Sequence, residues 1–148
     1  MIRTEKRLRI CSVWLVANLV FIWGNSLLPG EISGAISDWV KAVLSALMGG
    51  DGAGSGGGLL RKIAHFTEFA ALGMCLAWRM GMLNKHPSRA VLLGFLTACV
   101  DETIQRFVPD RGPSMVDVGI DTCGVLAGMM LLLFGHYFMK KCFGGNET

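Results

Sequence analysis

Two short clusters of ionisable residues stand out in an otherwise apolar chain. Arg61, Lys62, His65 and Glu68 form one; Asp101 and Glu102, with Arg111, Asp117 and Asp121 following, form the other. Arg61, His65 and Glu68 are spaced i, i+4, i+7, which places them on one face of a helix, and Asp117, Asp121, Gly124 and Gly128 form a similar stripe. An imidazole or a buried carboxylate can act as a general base once desolvation and neighbouring carboxylates move its pKa toward neutrality, so His65 and Glu68 are candidates for that role. Arg61, Lys62 and Arg111 have the donors to clamp a phosphate. Asp101, Glu102, Asp117 and Asp121 could hold Mg²⁺ or Mn²⁺, both of which take oxygen ligands.

The elements that carry these residues are long apolar runs. The chain has 148 residues, 52% hydrophobic and only 17% charged, with a mean hydropathy of +0.49, whereas a soluble domain carries about 25% charged residues. Runs from about Ile10 to Leu28, Ile63 to Leu83, Arg89 to Phe107 and Val116 to Met139 each approach the roughly 20 residues that cross a bilayer. The first follows Arg3, Lys6, Arg7 and Arg9, as a signal peptide would, but it is long enough to span and has no good cleavage pattern. Between the first two runs, Ile36, Trp39, Val40, Val43, Leu44 and Leu47 share a face opposite Ser37, Asp38, Lys41 and Ser45. That segment, about 35–48, is too short and amphipathic to span and is expected to lie in the interface. Gly49 to Gly58 reads as a flexible linker. The expected fold is therefore all-α: one domain over 1–148, a polytopic membrane protein with four transmembrane helices and a short interfacial helix.

Charge distribution orients the expected spans. With the N-terminus inside, nine Lys and Arg fall on the cytoplasmic side and five on the other, which puts both termini in the cytoplasm. Arg89 to Asp101 covers about 18 Å of helix, so the carboxylates of the third span lie in its outer half. The second and fourth spans enter from that same side with His65, Glu68, Asp117 and Asp121. Charges at membrane depth cost a few kcal/mol each, so these groups are expected to face one another in a polar pocket rather than lipid. Gly124 and Gly128 read as a close helix contact, and Asn18 and Asn25 as interhelical hydrogen-bonders. His86 and His136 are assigned no role. No Lys/Arg tract with interleaved aromatics is present, which excludes a nucleic-acid partner. The five cysteines are scattered without a CxxC pair, so neither a disulfide framework nor a thiolate metal site is expected.

These residues resemble the VanZ-like family of bacterial membrane proteins. The match begins at Asn25-Ser26-Leu27-Leu28-Pro29 and sharpens at Arg61-Lys62-x-Ala64-His65-Phe66-x-Glu68-Phe69. It is densest over Asp101-Glu102-x-x-Gln105-x-Phe107-x-Pro109, continuing through Arg111, Asp117, Asp121 and Gly124. The resemblance adds Gln105 to the candidate site. Ile104 stands where the family often has His, Phe69 where Tyr is common, and Asp110 where Gly usually precedes the Arg. The family is associated with resistance to the glycopeptide teicoplanin. The resemblance implies residence in the bacterial cytoplasmic membrane and a part in envelope chemistry. Three activities are compatible with it. One is an enzyme acting from the outer leaflet on a lipid headgroup or lipid-linked envelope precursor, and another is a non-catalytic envelope-binding accessory protein. The third is a proton- or ion-coupled transporter, for which four short helices make a thin pathway unless the protein oligomerises.

Overall fold

The computed structural model describes residues 2–48, 57–112 and 114–143, and among them the chain forms five α-helices and no strand. α1 runs Ile2–Ser26, α2 Gly30–Met48, α3 Gly57–Met82, α4 Ser88–Gln105 and α5 Met115–Phe143. α1 starts eight residues before the expected apolar run, because Arg3, Lys6, Arg7 and Arg9 are good helix formers and simply extend it. It ends where Leu27 and Leu28 hydrogen-bond back to Trp23 and Asn25 ahead of Pro29. Most of the expected glycine linker, 49–56, lies outside the described residues, and Gly57 and Gly58 already belong to α3.

α3 is the central helix. It packs most extensively on α5, then on α1 and α4. Phe69, Leu72, Leu76 and Met80 from α3 meet Ile22 from α1, Ala90 and Ala98 from α4, and Val118 and Val125 from α5 in one apolar cluster. Phe69 is fully buried there, so its lack of a hydroxyl leaves nothing unsatisfied. Small residues set the spacing. A Cβ on Gly124 or Gly128 would run into the backbone carbonyls of Phe66 or Ala70 on α3, and one on Gly73 into that of Val125 on α5. Along α4 the buried stripe reads Ala90, Gly94, Ala98, Asp101, Glu102, Gln105: apolar and small for its first two-thirds, then polar.

Among the described residues, two helical segments, Thr4–Ser26 and Met115–Cys142, are long and apolar enough by themselves to cross a membrane. α3 and α4 carry Arg61, Lys62, Glu68 and Arg79, and Arg89, Asp101 and Glu102, and these charges keep their hydropathy lower. Yet all four helices expose large apolar side chains, among them Trp14, Val20 and Phe21 on α1, Ile63, Met74 and Trp78 on α3, Leu92, Phe95 and Leu96 on α4, and Leu131 and Phe134 on α5.

α2 is longer than expected at its N-terminal end. It begins at Gly30, directly after the turn, because Gly30 N–H donates to Pro109 O and Ser33 N–H to Pro29 O. Among the described side chains of α2, Ser33 and Ser37 are buried, whereas Ile36 and Trp39 are 48% and 67% exposed. The serines face the protein because their small side chains allow close approach, and Ser37 returns its hydroxyl to Ser33 O. Ile36, Trp39 and Val43 look outward, while Val40 lines a pocket together with Ser33 and Ser37.

Candidate functional site

The site is assembled where the ends of four helices meet the turn between α4 and α5. Asp101 comes at the point where the buried stripe of α4 changes from alanine and glycine to polar residues, so the stripe that packs the helix also carries its carboxylate inward. Opposite it, His65 is on α3 and Asp121 on α5. His65 Nδ1 lies 3.8 Å from Asp101 Oδ2 and 3.9 Å from Asp121 Oδ1. All three residues are buried, Asp101 and Asp121 almost completely at 0% and 1% exposure. One ligand atom from each of the three falls within 4.8 Å of the others. Gln105, one turn along α4, donates to Asp101 Oδ2 at 2.9 Å and reaches Ser26 Oγ on α1 at 3.3 Å. That link fixes the plane of the Asp101 carboxylate and ties it to α1.

Glu102 faces a different partner. Its Oε2 accepts the backbone N–H of Ser114 at 2.7 Å. Ser114 is the N-cap of α5, and its own hydroxyl accepts from Asp117 N–H at 3.4 Å. In a capping box the third helical residue reaches back to the N-cap N–H. Here Glu102 of α4 occupies that place, which frees Asp117 to pair with Lys62 of α3 at 3.7 Å. α5 thus starts with Asp117 and Asp121 in its first two turns, where the positive end of the helix favours anions.

Arg61, Lys62, His65, Glu102, Gln105, Asp117, Ile120 and Asp121 line a single small chamber, with free space of only ≈10 Å³, about one water molecule or one ion. Glu68 does not line it. Its Oε1 accepts from Asn25 Nδ2 at 3.0 Å on the α1 side. The backbone carbonyl of Asn25 in turn accepts from Arg111 Nη2 at 3.2 Å. Asn25 therefore joins an acid and a base of the site, a role wider than the helix-to-helix contact expected of it. Arg111 makes no ion pair with a carboxylate among the described residues. Its Nε and Nη1 are buried and have no partner, and burial, followed by the nearby charge of Arg61, lowers its pKa from the usual range. Also without partners are Glu68 Oε2, Asp101 Oδ1, Glu102 Oε1 and both oxygens of Asp121.

Of the ten candidate residues read from the sequence, seven line the chamber and Asp101 lies against His65 behind its wall; Glu68 and Arg111 form an adjoining pair through Asn25. Neither Ser26 nor the Ser114 backbone is among the residues that the sequence places at the site. A signal for each was present: an Asn-Ser pair in the last turn of α1, and Ser114-Met115-Val116-Asp117 as a helix start. Beside the chamber, a second pocket of ≈210 Å³ is lined by Asn25, Ser33, Ser37, Val40, Leu60, Arg61, Ile63 and Ala64, among others. Arg61 borders both spaces.

Residues 9–136 match the family model described as VanZ/LLP1. With most of its length covered, the chain belongs to the VanZ/LLP1 family. No curated protein and no solved structure matches it.

Proposed function

We propose that this VanZ/LLP1 protein spans the bacterial cytoplasmic membrane four times, through α1, α3, α4 and α5, with both termini in the cytoplasm and the chamber toward the outer leaflet. Beside the chamber, at the ≈210 Å³ pocket under α2 that Asn25 and Arg61 line, it binds the phosphate of a lipid headgroup or lipid-linked envelope precursor. The four-span reading is supported by the large apolar side chains that all four helices turn outward, a surface that a soluble monomer seldom carries. The exposed Ile36 and Trp39 of α2 suit a helix lying in the interface on that side.

The observation that carries the ligand class is Arg111. Arg111 donates through Nη2 to Asn25 O, but its buried Nε and Nη1 have no partner, which leaves donors unsatisfied at about 1–3 kcal/mol apiece. Its planar fork matches an oxyanion. Arg61 is a second cation bordering both the polar chamber and the more apolar pocket under α2, an arrangement suited to a molecule with a charged head and an acyl tail.

The test is retention of phosphate-bearing lipid by the full-length protein, measured by native mass spectrometry after mild detergent extraction. Arg111→Lys is expected to lower that retention about tenfold, because an ammonium cannot reproduce the fork. Arg106→Lys, at an exposed position of the same turn, serves as the control. Equal retention by both variants and the wild type would refute the proposal. Headgroup-resolved lipid analysis of cells with and without the protein separates the two modes of action. A changed lipid species means chemistry on the headgroup. Unchanged lipids with altered teicoplanin susceptibility mean an accessory binding role.

A further inference from the structure

The three-residue cluster at the back of the chamber has a geometry that neither hydrogen bonding nor a bridging water explains. The distances of 3.8 Å and 3.9 Å from His65 Nδ1 to the two carboxylates are too long for hydrogen bonds, which need about 2.7–3.2 Å. They are also short for a water bridge, which would hold the two groups about 4.5 Å apart with ordinary bond lengths. Donors sharing a tetrahedral Zn²⁺ sit about 3.4 Å from one another, given metal–ligand bonds of about 2.0–2.2 Å. The two separations from His65 are within about half an ångström of that, a movement small enough for side-chain adjustment, and the three ligand atoms all lie within 4.8 Å of one another.

A second observation is independent of spacing. Asp121 is 1% exposed, and both of its carboxylate oxygens are without a hydrogen-bond partner. Asp101 Oδ1, at a fully buried residue, is equally bare. A carboxylate buried with no partner is among the costliest arrangements a protein can hold. The surrounding charges do not cancel it. With all five acids Glu68, Asp101, Glu102, Asp117 and Asp121 ionised and His65 neutral, the three bases Arg61, Lys62 and Arg111 leave two negative charges. One divalent cation removes that excess.

We infer that His65, Asp101 and Asp121 form a binding site for a single divalent transition-metal ion, with Zn²⁺ preferred over Mn²⁺ and both over Mg²⁺. One imidazole and two carboxylates give three protein ligands and leave a fourth position facing the chamber, the ligand count of open zinc sites. Imidazole selects for the transition metals. Mg²⁺ gives up its waters reluctantly and keeps several of them, and a space of ≈10 Å³ has no room for them. Gln105 is a positioning residue: its bond to Asp101 Oδ2 orients the ligand, as outer-shell partners of metal ligands do. The expectation of an all-carboxylate Mg²⁺ or Mn²⁺ site is thereby revised. Glu102 is committed to Ser114 and Asp117 to Lys62, while His65 takes their place.

The experiment uses the full-length protein in detergent, stripped with chelator and then equilibrated with Zn²⁺, Mn²⁺ or Mg²⁺ alone. Elemental analysis is expected to find one Zn²⁺ per chain. Competition with a chromophoric chelator should show affinity reduced more than tenfold in Asp121→Asn and His65→Gln, and about tenfold in Gln105→Leu. His86→Gln and His136→Gln, at exposed positions, should bind as the wild type does. Should the site variants fail to fold, X-ray absorption on the Zn²⁺-loaded wild type decides. One imidazole with oxygen neighbours is expected, and sulfur ligation or two imidazoles overturns the assignment. Less than half an equivalent of Zn²⁺ in the wild type overturns it, as does an equivalent retained by folded Asp121→Asn. The site stands independently of the headgroup reading, since these measurements need no lipid ligand, and lipid retention can fail while zinc binds.

Discussion

Placing a methyl group at Gly124 tests whether the α3–α5 contact sets the dimensions of the site. Gly124 lies one turn from Asp121, on the same stripe of α5. A Cβ built there falls 2.5 Å from the Phe66 carbonyl oxygen and 3.2 Å from Phe69 Cβ, where ordinary contact begins at 3.4 Å. In Gly124→Ala, α5 must therefore back away from α3 by about 0.9 Å, because the atom it meets is backbone and cannot swing aside. Overpacking of this kind costs about 1–3 kcal/mol. The same retreat would lengthen the His65–Asp121 separation, now 3.9 Å, by up to a similar amount. The control is Gly119→Ala, on the same helix, where a Cβ meets nothing within 4 Å and replacing glycine should gain up to about 1 kcal/mol in helix propensity. Reversible unfolding in mixed micelles gives both free energies. Gly124→Ala should be the less stable by 1–3 kcal/mol relative to wild type, with weakened Zn²⁺ binding, and Gly119→Ala should be neutral or better in both assays. If the two alanines behave alike, the close approach of the helices does not govern the site and the reasoning fails.

Topology and the turn before α5 give two further expectations. In a cysteine-free background, Gly112→Cys should react with a membrane-impermeant thiol reagent in intact cells and Ser88→Cys should not; the reverse pattern would invert the proposed orientation. Asp110 adopts φ 58°, the left-handed region that costs a side chain roughly 1–2 kcal/mol, which accounts for Asp at a position where the resembling family usually has glycine. Asp110→Gly should accordingly hold or raise stability, and Asp110→Val should lower it by about 1–2 kcal/mol, read from the same unfolding titrations; equal values for the two would show that this backbone is not constrained.

The helical character of the chain is legible because it is written locally. Long apolar runs, breaks at Pro29 and at the Lys85-His86-Pro87 turn, and a serine ahead of α5 are properties of neighbouring residues. They require no knowledge of what packs where. The glycine stripe of α5 could be read as a contact surface for the same reason, since i, i+4 spacing already defines a face. What the apolar pattern of 35–48 could not supply was the direction of that face. Periodicity tells which side chains lie together on α2, but not whether the protein or the surroundings lie on that side. Ser33 and Ser37 face inward because the turn docks Gly30 on Pro109.

The chemistry divides along the same line. Composition and helical spacing bring basic residues, a histidine and carboxylates to one end of a helical bundle, where they can face one another rather than apolar neighbours. Which of these groups meet depends on rotations and offsets between helices, and those are set by contacts such as Gly124 on Phe66 and Gly128 on Ala70. Only the packed structure joins His65 to Asp101 and Asp121, diverts Glu102 to the N–H of Ser114, links Glu68 and Arg111 through Asn25, and leaves both oxygens of Asp121 bare. The sequence by itself determines which groups lie at the same end of the bundle, since position along each helix follows from counting 1.5 Å per residue. Their partners are decided by tertiary structure, because hydrogen bonds and metal coordination discriminate at tenths of an ångström, a scale that only side-chain packing controls.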